Sequence, residues 1–353
     1  MKSSILKRNI VALSVLLASA GSALAVPING ADYGGGNLFL NNGDVLSGNF
    51  TNVGTFVIPF GATVYVADGV SLSVMAQQIS IAGSLNAVGS GFAGGLNAFN
   101  GNPGAGPGGG GGGLHGNSVH ASGGAGGGNA GVGGNGASSF GGGPAPSIGG
   151  AFNNNLMGSG GGAAGDHSCC NPGQGGDGGA GGGAITLNAL TSLVLTGSIS
   201  SAGENGFQGV AGDYPASGGG GGSGGSISLI GTLMLNGLLD VSGGNGGNYI
   251  GNVGPGGQAW ANGGGGGGGG RIFLTGAASF GANYLVDIFG GSAGASLNLD
   301  GGNQRPSAVN ATAGQAGSIT NDTAPISEVP APGALALLGL GLLGFGAARR
   351  RLN

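Results

Sequence analysis

The residues with most scope for chemistry are twelve carboxylates: Asp32, Asp44, Asp68, Asp166, Asp177, Glu204, Asp213, Asp240, Asp287, Asp300, Asp322 and Glu328. A glycosidase needs two carboxylates facing one cleft, and a lyase also needs a base or cation to take up charge. These acids are scattered, and lysine is absent from residues 26–328. Aromatic groups for stacking on sugars are sparse there, with Trp260 the single tryptophan and Tyr214 and Tyr249 in glycine-rich surroundings. His115, His120 and His167 lie in a glycine-rich stretch and read as solvated imidazoles. The adjacent Cys169 and Cys170 cannot staple distant segments. They read as an exposed free or intermolecularly paired site, as a vicinal disulfide, or as part of a metal site with Asp166 and His167. Gly173 to Gly179 partly resembles a calcium nonapeptide repeat, but occurs once and lacks the large apolar residue after Asp177. No Gly-Lys-Ser/Thr follows the glycine runs, so they are not phosphate loops. The expectation is that the acids are turn residues and that no catalytic, cofactor-binding or metal-ligating residue is assigned.

Any element that positions these groups is built from an unusual composition: 96 of 353 residues are glycine and 6% are charged. Glycine raises the entropy lost on folding and supplies no side chain for a core, so a core must be narrow and repetitive. No Gly-X-Y period runs through the chain, which excludes collagen. From Asn37 to Gly89, apolar residues alternate at period two: Val57, Val64 and Val66, Leu72 and Val74, Ile79 and Ile81, Leu85 and Ala87. This is the pattern of short strands with one buried face.

The second half repeats itself. Gly-Ala-Ile-Thr-Leu at 183–187, Gly-Ser-Ile-Ser-Leu at 225–229 and Gly-Arg-Ile-Phe-Leu at 270–274 share one pattern. A second pattern joins 81–89, 195–203 and 235–243. Repetition at such a period reads as stacked coils. The fold class is therefore all-β, a parallel β-helix (solenoid) with long glycine-rich loops, set against an antiparallel β-sandwich as the rival. Coils are expected over 26–89 and 183–290, with a glycine-rich low-complexity excursion over 90–182 and a linker over 291–328. The glycine-rich loops are either disordered or lie beside one another as extended strands. Composition favours disorder. Shortening 104–143 is then expected to be nearly silent, and Ile227→Asp severely destabilising.

Residues 1–25 have the order of a secretory signal: basic Lys2, Lys7 and Arg8, an apolar run, then Ala23-Leu24-Ala25 with cleavage after Ala25. At the other end Val329-Pro330-Ala331-Pro332 precedes an apolar run over 333–348 and Arg349, Arg350 and Arg351. The run reads as one transmembrane helix with the arginines left in the cytoplasm. Between the two ends, Arg271 and Arg305 face all twelve acids, a net charge of −10. That excludes nucleic acid as a partner.

Pro-x-Pro, a short Gly/Leu-rich span and a terminal Arg cluster together resemble the PEP-CTERM sorting signal. Pro330 and Pro332 match its two prolines, whereas Ala331 replaces its acidic middle residue. The resemblance covers about 25 residues. It implies transient insertion in the inner membrane of a Gram-negative bacterium, processing by an exosortase, and release to the cell surface or matrix. Two classes of function stand at this point. One is a structural or adhesive surface or biofilm-matrix protein that contacts exopolysaccharide or copies of itself. The other is a carbohydrate-active or carbohydrate-binding β-helix. An ice-binding reading needs outward Thr ladders, and Thr186, Thr191, Thr196, Thr232 and Thr275 are too irregular for one.

Overall fold

The computed structural model describes residues 27–115, 121–138, 149–151, 157–166, 173–251, 259–300, 302–304 and 309–325. These residues form sixteen strands and no helix. The main sheet is parallel, thirteen-stranded and strongly curled, in the manner of a solenoid. It begins with β1 (Pro27–Asn29), β2 (Leu38–Phe39) and β3 (Val45–Ile58). Short strands then alternate with long ones: β4 (Thr63–Val66) with β5 (Leu72–Ile81), β6 (Ser84–Asn86) with β7 (Ala184–Leu195), and β8 (Ser198–Ser200) with β9 (Ser226–Leu235). The series continues through β10 (Leu238–Asp240), β12 (Arg271–Phe280), β13 (Leu285–Asp287) and β16 (Ser318–Pro325). A small antiparallel sheet joins β11 (Ala259–Ala261), β14 (Leu297–Asp300) and β15 (Asn303–Gln304). Parallel pairing throughout the main sheet rules out the antiparallel sandwich. The stretch expected as a linker contains β14, β15 and β16.

The repeated motifs are register partners. Leu72, Ile185, Ile227 and Ile272 stack on successive long strands, as do Val74, Leu187, Leu229 and Leu274. On the short strands Val64, Leu85, Ile199 and Leu239 form a third ladder. All these side chains are buried, and each contributes roughly 1.5–3 kcal/mol before entropy is subtracted. The expected alternation fails at Val57, which is half-exposed while Phe56 and Ile58 point inward. Phe56 and Ile58 take the inward phase of the strand, which leaves Val57 between them on the outer face; a bulge with Asn52 at φ +51° lies upstream, between Phe50 and Val53.

From β6 onward, between each short strand and the next long one, the chain leaves the sheet and returns. These excursions over 87–183, 201–225, 241–270 and 288–317 are ordered throughout their described residues, which overturns the expectation of disorder. In the returning leg 217–225, the amides of residues 218, 221 and 224 donate to carbonyls of 262, 265 and 268. Those of 219, 222 and 225 donate to 207, 204 and 201, and those of 220 and 223 to 162 and 159. Bond direction thus repeats every third residue, the period of a polyproline II helix, whose backbone groups all point away from its own axis. The same leg accepts bonds from 124 and 127, from 244 and 247, and from 179 and 182, so six neighbouring legs surround it.

The leg 262–270 has the same sixfold surroundings. It donates to 241–247, to 124–127 and to 312–315, and accepts from 218–224, 291–294 and 131–137. Its glycines are required by distance. A Cβ on Gly264, Gly266 or Gly267 would lie 1.9 Å from the carbonyl oxygen of Gly219, Gly291 or Gly222. Outgoing legs form one layer and returning legs a second. The described legs of the longest excursion, among them 121–128, 131–137 and 158–165, form a third layer over the returning legs of later coils.

Candidate functional site

Outgoing legs start from a repeated turn. Asn86, Ser200, Asp240 and Asp287 are aligned across the short strands. Asn86, Asp240 and Asp287 each accept the amide of the residue two positions on, Val88 at 2.8 Å, Ser242 at 2.9 Å and Phe289 at 3.0 Å. These Asx turns convert strand into polyproline-type leg. Asp240 also accepts the hydroxyls of Ser200 and Ser242. Two carboxylates are therefore register partners on adjacent strands, but in a turn position that Asn86 also fills.

Three directions alternate along an outgoing leg. In 241–248, Gly243 and Gly246 face the returning leg, and Gly244 and Gly247 face the preceding outgoing leg. Ser242, Asn245 and Asn248 face solvent. The pattern holds in the flanking legs, so the outward positions form a three-by-three grid, of which eight are open to solvent. Ser242 and Phe289 form one column beside the buried Ala202, Asn205, Asn245 and Ser292 the next, and Gln208, Asn248 and Ala295 the third. The asparagines are fixed by backbone donors: Asn245 N–H to Asn205 Oδ1 at 2.7 Å, Ser292 N–H to Asn245 Oδ1 at 2.8 Å, and Ala295 N–H to Asn248 Oδ1 at 2.8 Å. Sequence reasoning missed this surface. Its signal was the three-residue spacing of Ser242, Asn245 and Asn248 among glycines.

The other carboxylates are spread over the molecule. Asp32 accepts the Gly34 amide and the Asn52 side chain, and these bonds, the backbone one first, hold its carboxyl below the usual range. Asp44 accepts the Asn41 amide. Asp166 and Asp177 are brought together by Asn97, whose side chain donates to Asp166 and whose backbone amide donates to Asp177. Glu204 accepts the Ala180 amide at 3.3 Å. The ring of His115 lies 3.9 Å from that of Phe99, centroid to centroid.

On the long strands, Thr186 aligns with Ser228 and Phe273, Thr275 with Ile230, and Thr232 with Ala277. No outward Thr ladder forms among these residues. Residues His120, His167, Cys169, Cys170 and Arg305 lie outside the described residues. So do Ala23, Ala25, Val329, Pro330, Ala331, Pro332, Arg349, Arg350 and Arg351. Among the described residues no helix is long and apolar enough to cross a membrane. The run over 333–348 is not among them, so the expected transmembrane helix finds no support here.

Neither the curated proteins nor the solved structures contain a match to this chain. Residues 328–351 match the PEP-CTERM protein-sorting motif, so the chain carries at those positions the signal that an exosortase processes.

Proposed function

We propose that this is an exported, exosortase-sorted surface protein whose body is a non-catalytic structural or adhesive component of the envelope or extracellular matrix. The sorting motif at 328–351 supports export and surface placement. In this reading the signal peptide ends at Ala25, the run over 333–348 holds the precursor in the inner membrane, and the tail is removed near Pro332. Release leaves the protein at the cell surface or in a biofilm matrix.

The observation that carries the role of the body is the glycine lattice, in which buried backbone of the described excursions is bonded to neighbouring legs rather than to water. Such a body presents an extended repetitive surface, and the open hollow beside Val194, Met234 and Ser279 is lined without a carboxylate, histidine or cysteine. Carboxylates at turns and caps favour a scaffold over a general acid–base pair, which needs two groups held about one reacting atom.

The test is twofold. Intact-mass measurement of the native secreted protein should give a chain beginning at Val26 and lacking Arg349 to Arg351. A gene deletion should weaken cell aggregation or biofilm cohesion. A secreted chain that keeps its arginines overturns the sorting claim, and unchanged cohesion overturns the matrix role.

A further inference from the structure

Resting on that reading, we propose that the outward face of the outgoing legs is a binding surface for an extended, neutral polysaccharide of β-linked hexoses. Asn205, Asn245 and Asn248 each spend Oδ1 on a backbone N–H of the next leg. A backbone N–H can only donate, so the amide orientation is fixed and Nδ2 is turned to solvent with both its hydrogens available. The three side chains are exposed. They are anchored on a lattice with little freedom to lose, so ordering them on binding costs less than ordering free surface amides.

Their spacing sets the class of ligand. Along a leg, Asn245 and Asn248 are three residues apart, about 9 Å in a polyproline-type helix. Across legs, Asn205 and Asn245 are one coil apart, about 5 Å at the spacing of stacked strands. The longer repeat is close to the length of a β-linked disaccharide unit, so hydroxyls of alternate sugars in an extended chain meet successive donors. Phe289, 68% exposed at one corner of the array, offers an apolar face to a sugar ring.

A surface that repeats along and across the legs suits a polymer laid over it, whereas a small ligand needs a concave pocket. The nine array positions carry no charge, which gives no purchase on nucleic acid or on anionic polysaccharide. A protein partner would need a desolvated apolar centre, which this amide and hydroxyl array does not supply. Individual contacts are weak and gain strength by multiplicity.

The experiment is retention of the mature protein on cellulose, with soluble β-1,4-linked glucose hexasaccharide as competitor and alginate as the anionic probe. Asn245→Asp together with Asn248→Asp keeps an oxygen for each backbone N–H but removes the donors. Gln78→Glu, on the exposed outer surface of β5, controls for added charge. The expected result is retention on cellulose, competition by the hexasaccharide, and about tenfold weaker binding in the double variant, the loss of one to two hydrogen bonds. Gln78→Glu binds as the parent does, and unchanged thermal melting confirms that both variants are folded. Retention equal in the double variant, no retention on the glucan, or preference for alginate each overturns the proposal. Complementing the deletion strain separates this from the matrix role. If the double variant restores cohesion fully, the matrix reading stands and this face is not its contact.

Discussion

At Gly267 a single methyl group decides whether three legs can lie side by side. The added Cβ would sit 1.9 Å from the Gly222 oxygen, which is backbone and cannot swing away. Gly267→Ala should therefore destabilise the protein by about 3 kcal/mol or more, in the range of overpacking and strain. Gly150, with nothing within 4 Å of its added Cβ, should accept alanine within about 0.5 kcal/mol. Chemical denaturation of the two variants checks the contrast, and equal losses would mean that the lattice is not close-packed. Asp32 supplies a pH signature at the other end of the molecule. Its folded pKa is lowered, by the Gly34 amide first and then by Asn52, so its contribution is present above the unfolded value and is lost as pH falls through the folded one. The gap in melting temperature between the parent and Asp32→Ala should be constant near neutral pH and close below about pH 4. A gap independent of pH would show that the carboxylate charge is not involved.

The elements divide into two kinds, and only one was legible in the sequence. Long strands were readable because alternation at period two and the recurring Gly-x-Ile-x-Leu pattern both report stacking, and Ile185, Ile227 and Ile272 do lie one above another. The legs were not, because glycine-rich composition is also what a disordered linker has. Composition cannot register that the returning legs 217–225 and 262–270 each satisfy their backbone through six neighbours. The period of three over 242–248 was the available clue. The carboxylates were read correctly as turn residues at Asp240 and Asp287, whereas the asparagine array went unseen because its members lie on different coils. Removing 121–137, which the composition marks as expendable, strips the legs that accept from 262–270 or donate to it. The expected outcome is unfolding comparable to that of Ile227→Asp, which places a charge in a ladder whose residue is fully buried. Circular dichroism and proteolysis check both, and a stable protein after the deletion would return 121–137 to the status of a loop.

Over the whole molecule, stability is shared between a hydrophobic ladder and a lattice with almost no side chains. Amide exchange should reveal both, since protection depends on how backbone bonds are buried and opened together. Residues 218–225 and 263–270 should exchange as slowly as β7 and β9, although they belong to no sheet. Rapid exchange there, with the strands protected, would show that the lattice opens independently.

The three-residue turn of the legs also governs how this protein can change length over generations. Adding one residue to 262–270 rotates everything beyond it by a third of a turn, so each amide there faces the wrong neighbour. Adding three restores every direction, with the leg longer by about 9 Å. Length variants that persist should therefore differ by multiples of three, matched between an outgoing leg and its return. The reading frame of the gene is, in effect, echoed a second time in the frame of the lattice.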